Sequence, residues 1–281
     1  MIVVRILLAA ALSAVPALRG ELSSANIETA VATACREADI SAERVSWLLL
    51  DSAKSNVIDA HWPAADQTIP VGSLVKPFAA LAYAQGHDFR FPEYECRGEV
   101  TGCWLPAGHQ RIGIVNALAH SCNSYFRQLT REVLPVQMEA LAERFRLTPP
   151  SPDAPSTAYL GLGTAWRIAP LSLARAYNEL LLRSQHPGLG PIIAGLQQAA
   201  RTGTAARAGT LDTLAKTGTA PCTHAALSPA GDGDGFVILL AVADRPRPTL
   251  LLRVHGVPGM IAAELAGKVW RDIVAGNGGR P

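Results

Sequence analysis

The sequence predicts an α+β protein: a five-stranded antiparallel sheet flanked by helices, with an all-helical subdomain inserted into it. Three observations carry this reading. Two strand-like runs, Val45–Asp51 and Val57–Trp62, stand early in the chain. Three more stand late, one around Lys216, then Phe236–Ala243 and Thr249–His255. The block between them, residues 73–200, reads as helices. Early and late strands bury their faces by sharing one sheet, which makes the helical block an insertion. At 281 residues and 49% hydrophobic, the chain has the length for one large domain and the side chains for a sizeable core.

Taken in order, the N-terminus reads as an export signal over residues 1–20. Arg5 supplies the charge, Ile6–Leu18 the apolar run and Val15-Pro-Ala17 a small-residue cleavage site. If uncleaved, the same segment would be a membrane anchor, and the N-terminus is the one place where membrane association is expected. The mature domain is then 21–281, exported to the periplasm or the outer face of the cytoplasmic membrane. Asn26–Ala38 is helix-like, and Ser52-Ala-Lys-Ser-Asn56 turns the first two strands into a hairpin. A helix starts at Ser73, runs through Phe78, Leu81 and Tyr83, and stops at Gly86; Pro77 is tolerated because it lies in the first turn. Ile114, Leu118, Cys122 and Phe126 form an i, i+4 stripe within residues 112–132. The Pro149–Pro155 stretch is a loop. The Lys216 segment reads as an edge strand, Asp244-Arg-Pro-Arg-Pro248 as the last hairpin, and Ile261–Val274 as the closing helix.

Three short motifs stand in one order: Ser73-Leu-Val-Lys76, Ser121-Cys-Asn123 and Lys216-Thr-Gly-Thr-Ala220. Each alone is weak, since Ser24-Ala-Asn26 repeats the second by chance; the ordered set is the signature of penicillin-recognising serine acyltransferases. A serine hydroxyl needs a base within hydrogen-bond reach, and position i+3 of a helix puts Lys76 beside Ser73. The apolar neighbours Val71, Leu74, Val75 and Phe78 would lower the lysine pKa by desolvation. Ser121 would relay protons between Lys76 and the leaving group, and Asn123 would offer its amide to a substrate carbonyl. Lys216, Thr217 and Thr219 suit a substrate carboxylate, Gly218 would let a ligand backbone come close, and the amides of Ser73 and Thr219 would form an oxyanion hole. Arg201-Thr-Gly-Thr-Ala205 almost repeats the third motif; with no strand pair close behind it, it reads as a helix end and turn.

The chain resembles the transpeptidase domain of class B penicillin-binding proteins over roughly residues 45–275. The likeness rests on Pro70-Val-Gly-Ser-Leu-Val-Lys-Pro-Phe78; on Cys96 to Phe126 with Cys103-Trp104, Gly108-His109 and Ala117-Leu-Ala-His-Ser-Cys-Asn-Ser-Tyr-Phe126; on Gly161-Leu-Gly163 and Pro170-Leu-Ser-Leu-Ala-Arg-Ala-Tyr177; and on Gly259-Met-Ile-Ala-Ala263. It implies a β-lactamase/transpeptidase-like fold and a serine D,D-transpeptidase or D,D-carboxypeptidase working on D-alanyl-D-alanine ends of peptidoglycan stem peptides. β-Lactam antibiotics would then be covalent inhibitors of Ser73, and no cofactor or metal is called for. Two features depart from the family. No pedestal or glycosyltransferase module is expected before the domain, and the stretch from Asn123 to Lys216 is short, so loops shaping the donor groove are expected to be trimmed.

A serine β-lactamase and a non-enzymatic penicillin-sensing or cell-wall scaffold module are the rival readings. There is no Glu-x-x-Leu-Asn stretch of the class A β-lactamase kind, and Asn123 stands where class D enzymes place an apolar residue. The three intact motifs speak against a decayed site. A net charge of +2 with no dense Lys/Arg run excludes nucleic acid as an expected partner. Of five cysteines, Cys96 and Cys103 are close enough in sequence for a loop disulfide, Cys122 is expected to be a buried free thiol, and Cys35 and Cys222 either pair or stay free. A zinc quartet of Cys96, Cys103, His109 and His120 has loose spacing. His61, His87, His186, His224 and His255 have no constellation around them in the sequence.

Overall fold

The computed structural model describes residues 24–186, 188–222, 224, 227, 233–242 and 248–276. The expected export signal and most of the Asp244–Pro248 hairpin lie outside the described residues. Five strands, β1 (Val45–Asp51), β2 (Val57–His61), β3 (Thr213–Ala220), β4 (Asp234–Ala241) and β5 (Pro248–Val254), form one antiparallel sheet in the order β2-β1-β5-β4-β3. The early hairpin joins the late strands through β1 against β5, where Leu48 faces Leu251. The strand carrying Lys216 is an edge strand, as the sequence predicts. The helices are α1 (Ser24–Ala38), α2 (Lys76–Gly86), α3 (Ile114–Ala119), α4 (Asn123–Leu129), α5 (Pro135–Phe145), α6 (Pro170–Leu182), α7 (Gly190–Arg201) and α8 (Gly259–Gly276).

Strands β1, β4 and β5 are apolar on both faces because both are covered. Alternate residues of a strand point to opposite sides. Trp47, Leu49, Val237, Leu239, Leu250 and Leu252 therefore pack under α1 and α8 with Ile27, Val31, Leu265 and Val269. Leu48, Leu50, Phe236, Ile238, Leu240 and Leu251 face the inserted block, where Leu74, Phe78, Phe126 and Tyr177 complete a second core. The site-bearing segments lie along the seam between this second core and the edge strand β3.

Two details position that seam. Gly72 has φ +57°, and a Cβ there would stand 2.4 Å from the Thr219 carbonyl oxygen, so glycine lets the turn before Ser73 lie against β3. Gly218 serves the same contact from the other side, since a Cβ there would meet the Val71 carbonyl oxygen at 2.7 Å. The close backbone approach expected of Gly218 thus involves the chain's own Val71 turn. No helix among the described residues is long and apolar enough to cross a membrane.

Candidate active site

The three motifs converge. Ser73, Ser121, Asn123, Thr217, Gly218 and Thr219 line one cleft of about 320 Å³. Ser73 sits in a 3-10 turn, Gly72–Val75, which feeds into α2. The expected helix thus begins as a tighter turn, with the α-helix proper starting at Lys76. Ser73 is half-buried and open to the cleft, whereas Lys76 one turn on is fully buried. Tyr177 on α6 holds this turn: its buried hydroxyl donates to the Leu74 carbonyl oxygen at 2.7 Å. Tyr177→Phe leaves that buried carbonyl without its donor, and urea unfolding is expected to show a loss of about 1–2 kcal/mol.

Within residues 112–132 stand two α-helices, α3 and α4. The chain breaks between α3 and α4 because Ser121 adopts a left-handed conformation, φ +52°. The apolar stripe survives the break, with Ile114, Leu118, Cys122 and Phe126 all buried. The break turns both the Ser121 carbonyl and its hydroxyl to Lys76. The Lys76 Nζ donates to Ser121 O at 2.8 Å, to Ser121 Oγ at 3.2 Å and to Asn123 Oδ1 at 2.6 Å. Its amine is thus held by motif two and not hydrogen-bonded to Ser73. From the opposite wall, Lys216 Nζ donates to the same Ser121 Oγ at 2.9 Å and to Thr217 O at 2.8 Å. One hydroxyl bridges two buried amines.

Neither amine has a carboxylate beside it among the ion pairs of the described residues. Burial pushes the Lys76 pKa down to about 7; the Cys122 and Cys103 sulfurs oppose the shift and Arg127 adds to it. Burial also drives Lys216 well below the usual lysine value, helped by Lys76. Two charged ammonium groups on one hydroxyl would repel, so the arrangement favours at least one neutral amine near neutral pH. A neutral lysine accepts a proton, which a charged one cannot.

Several residues of the cleft were not singled out from the sequence. Thr204 lines it and its Oγ1 lies 2.5 Å from Thr217 Oγ1. It belongs to the Arg201-Thr-Gly-Thr-Ala205 repeat, which does follow the end of α7 as expected but turns its last threonine into the site. Trp104, Leu162, Pro258 and Met260 complete the walls, and Gly259 N–H donates to Thr219 Oγ1 at 3.0 Å. Trp104 and Met260 fall inside segments that carry the family resemblance; their own letters give no chemical signal.

The expected Cys96–Cys103 disulfide is not formed, and both cysteines are free thiols. The reason is a larger grouping. Cys96, Cys103, His109 and Cys122 each turn one donor atom inward, all four within 4.8 Å of one another. His109 Nδ1 lies 3.5 Å from both Cys96 Sγ and Cys103 Sγ, and Cys103 Sγ lies 3.8 Å from Cys122 Sγ. Ligands about 2.1–2.3 Å from a tetrahedral zinc are separated by about 3.5–3.8 Å, so these residues could hold one. The quartet differs from the one read in the sequence by having Cys122 in place of His120. Burial, His120 and Lys76 keep the His109 pKa below its ordinary value, which favours the neutral imidazole a metal needs. Metal analysis of the purified protein is expected to find about one zinc per chain, lost in Cys122→Ala; a metal-free protein with one disulfide would contradict it. Of the remaining cysteines, Cys35 and Cys222 form no disulfide with each other. His255 does have a constellation after all: its Nδ1 lies 2.6 Å from the buried Asp234 and 3.7 Å from Cys222 Sγ.

By sequence, no protein-family model matches the chain, and no curated protein does. By structure, many do. PBP2 of Pseudomonas aeruginosa superposes with a TM-score of 0.68 at 16% identity, over 89% of this chain and 74% of that one. The transpeptidase domain of penicillin-binding protein 3 from Burkholderia pseudomallei gives 0.69 at 14% identity, over 90% and 93%. The transpeptidase domain of the FtsI4 D,D-transpeptidase of Legionella pneumophila gives 0.65 at 20% identity, over 93% and 97%. The chain has the transpeptidase-like fold of class B penicillin-binding proteins.

Proposed function

We propose that the protein is a serine acyltransferase of the penicillin-binding kind, a D,D-transpeptidase or D,D-carboxypeptidase acting on D-alanyl-D-alanine ends of peptidoglycan peptides outside the cytoplasm. The observation that carries this reading is the hydroxyl of Ser121 shared by two buried amines, one cleft wall away from an open serine. Ser73 Oγ attacks the penultimate D-alanine carbonyl, and its proton passes to neutral Lys76. The proton then travels through Ser121 to the departing D-alanine amine as the peptide C–N bond breaks. Water or a second peptide's amine attacks the resulting ester, gives up its proton along the same path and frees Ser73. Thr217 and Thr219, with Lys216 behind them, receive the terminal carboxylate; the Thr204 hydroxyl braces Thr217. Asn123 orients Lys76 through its Oδ1, which leaves its Nδ2 for a substrate carbonyl. The same geometry accepts a β-lactam as a substrate mimic.

The test is release of D-alanine from an N-acylated peptide ending in D-Ala-D-Ala, with and without an added amine acceptor. Stoichiometric D-alanine with amide product marks a transpeptidase, and D-alanine with free acid marks a carboxypeptidase. Fast turnover of benzylpenicillin without D-alanine release would replace this reading with a β-lactamase. Binding of the peptide with neither reaction would replace it with a scaffold.

A further inference from the structure

A second cleft, of about 590 Å³, shares no lining residue with the first. The two lie on either side of the same short segments: Trp104 and Asn123 line the first, Gly102 and Ser124 the second. Three arginines, Arg97, Arg127 and Arg131, line this second cleft, against a single carboxylate, Glu95. None of the three guanidinium groups forms an ion pair among the described residues. Arg127 is fixed in place by one hydrogen bond, Nε to the Gly102 carbonyl oxygen at 3.4 Å, and its side chain lies where a Gly102 Cβ would otherwise be. A second, independent feature sits in the same lining. Ser124 is buried, and its Oγ has no hydrogen-bond partner. A buried hydroxyl without a partner is costly, and such groups are ordinarily satisfied by protein, water or ligand.

We propose that this cleft binds an oxyanion-bearing ligand, through a phosphate or carboxylate group held by Arg97, Arg127 and Arg131 beside the buried Ser124. Guanidinium forks match the paired oxygens of both groups. The cleft's size, larger than the catalytic one, suits a group carried on a larger molecule rather than a lone ion. Because Ser124 follows Asn123 in the chain, an occupant would sit directly behind the second motif.

The experiment titrates the full chain with inorganic phosphate and, separately, with glutarate at constant ionic strength, read by calorimetry and by the rise in Tm. Arg97→Ser/Arg131→Ser is the comparison; both side chains are exposed and neither belongs to the catalytic cleft. Saturable one-site binding that weakens at least tenfold in the double variant is expected, since it removes two of three cationic partners. Binding of phosphate alone, of glutarate alone or of both assigns the group and supports the site. No saturable binding of either by the wild type, or equal binding by the double variant, overturns it. Covalent labelling of the double variant by benzylpenicillin, measured in parallel, reports on the serine chemistry separately, so failure of the anion site and failure of the proposed function are told apart.

Discussion

Ser73→Ala is expected to abolish covalent labelling by benzylpenicillin, with intact mass unchanged after an incubation that converts the wild type to a one-drug adduct. Nothing else lining the cleft can replace this oxygen. Ser121 Oγ is already engaged by Lys76 and Lys216 and lies in a strained, buried turn. Thr217 Oγ1 is paired with Thr204, and Thr219 Oγ1 accepts from Gly259. Only Ser73 combines exposure to the cleft with a place one turn from a buried amine. Loss of the nucleophile in enzymes of this type costs at least about 10⁴-fold in rate. Stability should change by no more than about 0.5 kcal/mol, because the side chain is half-exposed and no hydrogen bond to its hydroxyl is seen. A residual adduct mapped to Ser121 would refute the assignment of the nucleophile, and an adduct on Ser73 in the wild type that hydrolyses within seconds would move the reading to a β-lactamase.

Much of the fold was legible because strand period and turn chemistry act locally. The hairpin at Ser52–Asn56, the edge placement of the Lys216 strand and the closing helix all agree with their neighbours' burial. The break between α3 and α4 was not legible. Its residues keep an uninterrupted i, i+4 stripe, and the left-handed turn falls on Ser121, which Lys76 and Lys216 both hydrogen-bond, with no glycine or proline to mark it. The cysteines failed for a related reason. Spacing in sequence paired Cys96 with Cys103, but Cys122 reaches the same point only once the helix has broken. The Arg201-Thr-Gly-Thr-Ala205 letters read locally as the end of a helix; Thr204 reaches the cleft through its tertiary contact with Thr217, which no local pattern encodes. The eight expected site residues stand in three short motifs, and all of them gather at one cleft or directly behind it.

Lys76→Met is expected to reduce acylation by three orders of magnitude or more and to remove part of the pH dependence of stability. Burial holds the folded-state pKa at about 7, against an unfolded value near 10.4. Between those values the unfolded chain binds a proton that the folded chain does not, so stability rises with pH, by at most about 1.4 kcal/mol per pH unit for one proton. Below about pH 7 both states are protonated and the full cost of burying the ammonium is present. The variant has no such proton, so the slope of its unfolding free energy from pH 7 to 9 should fall by close to one proton's worth. Lys216, which is buried in the same way, contributes to the slope that remains. Methionine fits the length of the lysine stem but leaves Ser121 O and Asn123 Oδ1 without their donor, at about 1–3 kcal/mol each. The sign of the net stability change therefore depends on pH, whereas the loss of slope does not. In the wild type the same titration governs rate: acylation by benzylpenicillin should climb through about pH 7 and level off above it, as the amine becomes the neutral acceptor. A flat rate profile across that range, with an unchanged stability slope in Lys76→Met, would mean that the buried amine is not the base and that the proton leaves Ser73 by another route.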